Sequence, residues 1–152
     1  MRVLIIEDDG NKLRQIEDYL NKLESKFSIT HEMSYQSGLK NLATTNYDLI
    51  LLDMSLPTFD TSPDETGGPF LTYAGIDILR EIDELGIDCS VIIITQYESF
   101  EEGSDAITLD QLCLSLEEEF KGNYIGAVYY RASETNWKQD LLKLIEPINK
   151  DD

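Results

Sequence analysis

Glu7-Asp8-Asp9 follow the apolar run Val3-Leu4-Ile5-Ile6, and Asp53 closes a second run, Leu49-Ile50-Leu51-Leu52. Thr95 ends a third, Val91-Ile92-Ile93-Ile94, and Arg131 follows a fourth, Ile125-Gly126-Ala127-Val128-Tyr129-Tyr130. If these runs are parallel strands, acids, hydroxyl and cation converge at one rim. Carboxylates gathered within a few ångströms repel one another, so at neutral pH they must take up a proton or share a cation. Oxygen-only ligation with room for water suits Mg²⁺. A carboxylate beside such an ion can attack a phosphoryl group, the metal and a nearby cation offsetting the accumulating charge. Asp53 is the candidate nucleophile, with Thr95 as hydrogen-bond donor to one phosphoryl oxygen and Arg131 as partner for another.

Continuous apolar runs suit strands buried on both faces of a parallel sheet. A weaker alternating stretch, residues 27–33, supplies an edge strand that carries His31, the only histidine, which is expected half-buried and away from the rim. Between the strands lie helical patterns: Leu13, Ile16, Leu20 and Leu23; Leu39 and Leu42; Ile78, Leu79, Ile82 and Leu85 with Gly86 as stop signal; Leu109, Leu112, Leu116 and Phe120; Trp137, Leu141, Ile145 and Ile148. Strand and helix alternate about five times, because a parallel pair needs a crossover long enough for a helix. This predicts a doubly wound α/β fold, flavodoxin-like, with five parallel strands in the order 2-1-3-4-5 and its ligand site outside the carboxyl ends of strands 1 and 3. Trp137, in phase with Leu141, is expected to pack on the sheet.

Two connections exceed the usual ~2–6 residues. Residues 54–73 hold Pro57, Pro63 and Pro69 with Gly67-Gly68, and form either a surface loop or a docking arm using Phe59, Phe70 and Tyr73. Residues 96–107 are acidic and end at Thr108, whose spacing to Gln111 predicts a capping box.

The 152 residues suit one domain, 1–152, with 41% hydrophobic and 28% charged residues. The net charge of −18 excludes nucleic acid binding as a first expectation. Residues 41–120 carry 18 acids against the single cation Arg80. That bias is either a solvated acidic surface or a face for a basic protein partner. No run approaches a membrane span and Met1-Arg2-Val3 opens no signal peptide, so a cytoplasmic protein is expected. Cys89 and Cys113 lack metal or disulfide spacing and read as small buried hydrophobes, with a redox pair as the alternative.

At Val3-Leu4-Ile5-Ile6-Glu7-Asp8-Asp9, at residues 47–57 (Tyr-Asp-Leu-Ile-Leu-Leu-Asp-Met-Ser-Leu-Pro) and at Val91-Ile92-Ile93-Ile94-Thr95, the chain resembles the receiver domain of two-component response regulators. The resemblance implies a stand-alone signalling protein, not an enzyme in the ordinary sense, that takes a phosphoryl group from a sensor histidine kinase or a histidine phosphotransfer protein. Asp53 would be the phosphoacceptor. Asp8, Asp53 and the Ser55 main-chain carbonyl would ligate Mg²⁺, Glu7 would act through water, and Thr95 would be the switch hydroxyl. The signal would leave through an effector protein with a basic patch, from a monomer or a weak homodimer.

The sequence also departs from that family. Arg131-Ala132 stands where the family shows Lys-Pro, and a planar guanidinium is not a compact ammonium. The peptide before Ala132 is expected trans. Gln96 replaces a small residue, and the aromatic switch position falls on Val128, Tyr129 or Tyr130. These departures keep open a receiver-like interaction module with impaired phosphotransfer. A haloacid-dehalogenase-like phosphatase is disfavoured, because Ser55 occupies the place of its second Asp.

Overall fold

The structure, a computed structural model, describes residues 1–23, 26–102 and 105–150. In chain order they form β1 (Arg2–Ile6), α1 (Gly10–Lys22), β2 (Ser28–Glu32), α2 (Tyr35–Thr44), β3 (Leu49–Leu52), β4 (Leu56–Pro57), β5 (Phe70–Leu71), α3 (Ala74–Glu84), β6 (Ser90–Thr95), β7 (Ser99–Glu102), β8 (Asp105–Thr108), α4 (Leu109–Glu119), β9 (Tyr124–Tyr129) and α5 (Asn136–Lys150). The five long strands make a parallel sheet ordered β2-β1-β3-β6-β9, which is 2-1-3-4-5 when only sheet strands are counted.

Alternation along the strands divides the core into two layers. Leu4, Ile6, Ile50, Leu52, Val91 and Ile93 pack with α2, α3 and α4. Val3, Ile5, Leu49, Leu51, Ile92 and Ile94 pack with α1 and α5. Trp137 is fully buried in the second layer between the rings of Tyr19 (5.7 Å) and Tyr130 (5.3 Å). His31 lies in edge strand β2, but its side chain is 51% exposed and pairs with Glu17, so the half-buried expectation is corrected. An edge strand flanked on one side only leaves that ring in water.

Helix ends follow local chemistry. Asp9 caps α1, its carboxylate accepting the amides of Asn11 (2.9 Å) and Lys12 (3.3 Å). Thr108 and Gln111 form the expected capping box of α4. Gly86, at φ +66°, supplies the left-handed turn after α3.

Both long connections become antiparallel hairpins. β4 and β5 pair Leu56 with Leu71 and Pro57 with Phe70, and Phe59 N–H reaches the Gly67 carbonyl at 2.8 Å. This hairpin is fastened to α2, because the Gln36 amide donates to Thr58 O (2.9 Å) and the Ser37 hydroxyl to Asp60 (3.0 Å). β7 and β8 pair Ser99 with Thr108 and Phe100 with Ile107. Residues 103 and 104 of that extension lie outside the described residues. Among the described residues no helix is long and apolar enough to cross a membrane.

Candidate functional site

The ladder itself delivers the acids to one rim. Ile6 pairs with Leu52 and Leu52 with Ile93, so Glu7 and Asp53 step out of adjacent strands at the same level. The Asp53 amide donates to Ile6 O (3.0 Å) and the Glu7 amide to Glu32 O (3.0 Å), which holds both backbones as extensions of the sheet. Glu7, Asp8 and Asp53 each present a carboxylate oxygen, all within 4.8 Å of one another. Asp9 is not part of this group, since its side chain is spent on the α1 cap.

Glu7 and Asp53 are buried and Asp8 is half-buried. Burial first, and then the Asp53 charge, pushes the Glu7 carboxyl up to about 8. The same two causes, in the same order, raise Asp8 above the ordinary carboxylate range. Asp53 Oδ1 is buried without a hydrogen-bond partner. A buried, unpaired carboxylate oxygen costs free energy unless a ligand completes it. Three clustered carboxylates with one orphaned oxygen fit a hard divalent cation taking oxygen ligands.

The cation that touches these acids comes from α1. Lys12 is 1% exposed, and its Nζ lies 2.5 Å from Glu7 Oε2 and 3.5 Å from Asp53 Oδ2. It also donates to Ile94 O at 2.8 Å and sits 5.7 Å from the centre of the Tyr130 ring. Sequence reasoning passed over this residue. The available signal was spacing: 12, 16 and 20 are four apart, so Lys12 shares the buried helix face with Ile16 and Leu20.

Arg131 does not join the group, and its expected place in the site is corrected. It follows β9, is exposed, pairs with Glu134 at 3.5 Å and lies over the Tyr129 ring at 5.8 Å. Setting Arg131-Ala132 in the place of the family's Lys-Pro missed an irregularity in β9: Val91 pairs with Tyr124 but Ile92 with Gly126. With Thr95 opposite Tyr129, Tyr130 rather than Arg131 turns inward. The peptide before Ala132 is trans.

Thr95 is fully buried at the end of β6, and its Oγ1 accepts the Tyr97 amide at 3.1 Å. Ser55 is buried, its hydroxyl donating to Thr72 O at 2.8 Å, which ties it to the turn before α3. Gln96 is exposed. A 360 Å³ cavity beside Asp8 is lined by Met33, Pro57, Gly68 and Phe70, and a 290 Å³ one by Ser55, Phe70, Tyr97 and Phe100. The β4–β5 hairpin therefore borders the cavity beside Asp8, and the β7–β8 hairpin borders the one beside Ser55. Cys89 is buried and Cys113 half-buried, and both are free thiols.

The family model described as the response regulator receiver domain matches residues 3–111. The chain belongs to this family. Its receiver fold is also similar to solved structures: a response regulator receiver domain protein from Clostridium thermocellum superposes with a TM-score of 0.63 at 24% identity, covering 99% of this chain and 95% of that one. Two curated relatives match nearly end to end. The Detocs response regulatory protein DtcB of Enterobacter cloacae is 29% identical over 147 residues, 95% of this chain and 98% of that protein. The uncharacterized protein y4jR of Sinorhizobium fredii is 28% identical over 141 residues, 91% and 92% of the two chains. As a receiver domain of the two-component type, the molecule has the flavodoxin-like sheet and the acidic pocket at its carboxyl rim.

Proposed function

We propose that this receiver domain acts as a stand-alone response regulator, phosphorylated on Asp53 in a Mg²⁺-dependent reaction and signalling through a protein partner. The carrying observation is the convergence of Glu7, Asp8 and Asp53 within 4.8 Å, with one buried Asp53 oxygen left unpartnered. The near end-to-end match to DtcB, 98% of that protein, supports the stand-alone reading.

Asp8, Asp53 and the Ser55 main-chain carbonyl would hold the ion, with Glu7 acting through water. When bound, Mg²⁺ supplies positive charge opposite the phosphoryl oxygens. An Asp53 carboxylate oxygen attacks phosphorus, forming an O–P bond as the donor's P–N bond breaks, and the freed imidazole takes a proton from solvent. Thr95, whose Oγ1 accepts the Tyr97 amide, still has its hydroxyl proton to donate to a phosphoryl oxygen. Donors would be a sensor histidine kinase or a histidine phosphotransfer protein. The effector would carry a basic patch, matched to the 18 acids and one cation of residues 41–120.

Acetyl phosphate with Mg²⁺ tests this directly. A base-labile phosphoryl adduct should form on Asp53, disappear with a chelator and be absent in Asp53→Asn. An interaction module with impaired phosphotransfer is the second reading, favoured by Arg131 standing outside the pocket. It predicts no adduct under any of these conditions.

A further inference from the structure

We propose that Lys12, on the first turn of α1, is the group that binds the phosphoryl oxygens on Asp53, and that it couples the acidic pocket to Tyr130 at the end of β9. The inference rests on Asp53 being the phosphoacceptor. It assigns to α1 a cation that the sequence pattern placed after β9.

The geometry makes the assignment. Lys12 is buried, and among the described residues its Nζ is the cationic group within ion-pair distance of the acidic cluster, 2.5 Å from Glu7 Oε2 and 3.5 Å from Asp53 Oδ2. Arg131 spends its charge on Glu134 and the Tyr129 ring. A compact ammonium with three donors can leave one acceptor for another without rebuilding its surroundings. Phosphorylation forms the Asp53 O–P bond and breaks the P–O bond of acetyl phosphate, releasing acetate, so a phosphoryl group with up to about two negative charges shared over three terminal oxygens arrives beside Nζ. Those oxygens outcompete a single carboxylate and a neutral carbonyl for the ammonium.

The ammonium's other partners give that move a direction. It now donates to Ile94 O, one residue before Thr95, and lies over the Tyr130 ring. Tyr130 in turn packs on Trp137 at 5.3 Å and donates its hydroxyl to Gln15 at 2.7 Å. Drawing Nζ toward a phosphoryl group weakens its hold on the ring and on the β6 carbonyl. The second core layer, through Trp137 of α5, then senses the state of Asp53. In the unmodified protein Lys12 pairs with Asp53, a ligand of Mg²⁺ in the reading above, and with Glu7, which would reach the ion through water, so it competes with the ion at this pocket.

The test uses the full chain and its single tryptophan. Lys12→Met, Lys12→Arg and Arg131→Ala are compared with wild type for Mg²⁺ affinity, for adduct formation with acetyl phosphate, and for Trp137 emission on adding beryllofluoride with Mg²⁺. Lys12→Met should bind Mg²⁺ about tenfold more tightly, because a competing cation has gone. It should form the adduct about a hundredfold more slowly and lose the emission change. Misfolding would weaken both binding and adduct formation, so opposite signs separate the proposed role from a structural one. Should Lys12→Met fail to fold, Lys12→Arg carries the test, keeping the charge but slowing adduct formation. Arg131→Ala should match wild type within about twofold. Adduct formation at the wild-type rate in a folded Lys12 variant overturns the inference alone, as does an Arg131→Ala loss as large as that of Lys12→Met. A wild-type protein that takes up neither acetyl phosphate's phosphoryl group nor beryllofluoride overturns the Asp53 reading and this inference together.

Discussion

Raising the pH of the metal-free protein should destabilise it through Glu7, and the size of the effect follows from its surroundings. Burial and the Asp53 charge lift this carboxyl from 4.5 to about 8 in the folded chain. Between those two values the folded state holds a proton that the unfolded chain has released. Each pH unit in that window therefore removes about 1.4 kcal/mol of stability. The Glu7 contribution is complete below pH 4.5 and is lost as the pH climbs through about 8. Over the full window the ceiling is about 5 kcal/mol, comparable with the whole stability of a small domain. Asp8, raised by the same causes, adds a loss of the same sign. Urea unfolding with a chelator, from about pH 5.5 to about pH 8.5, reads the slope in wild type and in Glu7→Gln. The glutamine variant should flatten the slope to what Asp8 leaves. Mg²⁺ binds the ionised forms, so its stabilising effect should grow with pH. A wild-type stability that is level or rising across this window, or a slope unchanged in Glu7→Gln, refutes the reasoning.

Gly75→Ala should lower stability by about 1–3 kcal/mol in a urea melt, despite alanine's better helix propensity. A Cβ there would stand 2.9 Å from the Asp53 carbonyl oxygen and 3.0 Å from Met54 Cα, both backbone atoms. The same change should slow adduct formation by displacing Asp53, whereas unaltered stability and rate would show that α3 can retreat freely. Burial pushes the Cys89 thiol up to about 11, so in the folded protein a thiol reagent should label half-buried Cys113 well before Cys89. Equal labelling rates would contradict the core placement. Association with a basic effector should slow steeply as salt is added, seen by stopped-flow mixing, while a salt-independent rate would remove the acidic surface from recognition.

The framework was legible because the strands announce themselves. Val3-Leu4-Ile5-Ile6, Leu49-Ile50-Leu51-Leu52 and Val91-Ile92-Ile93-Ile94 are apolar without alternation, which only a sheet covered on both faces requires. The acids were legible for the same reason, as each stands directly after such a run. Two things escaped. Lysine is by default read as solvent-exposed, so Lys12 was invisible until its partners were known, although its four-residue spacing to Ile16 already placed it inward. Arg131 misled because one irregular step near Ile125 changes which side chains face the core; Gly126 at that step was its local mark, since a lone glycine inside a strand pattern signals a bulge. The hairpin of residues 54–73 was likewise unreadable as structure. Its pairing depends on contacts with α2, a segment distant in the chain.

Beyond the Phe59 to Gly67 bond, the β4–β5 hairpin closes on itself through a single bridge between Ser62 and Glu65. Residues 60–66 are exposed throughout. The hydrogen bonds described above that fasten the arm to α2, from Gln36 to Thr58 and from Ser37 to Asp60, lie on the near side of that tip. An epitope tag or a fluorophore spliced in at positions 62–65 would thus ride on a paired stalk a short way from the reactive pocket, reporting visitors to it while leaving the host framework unstrained.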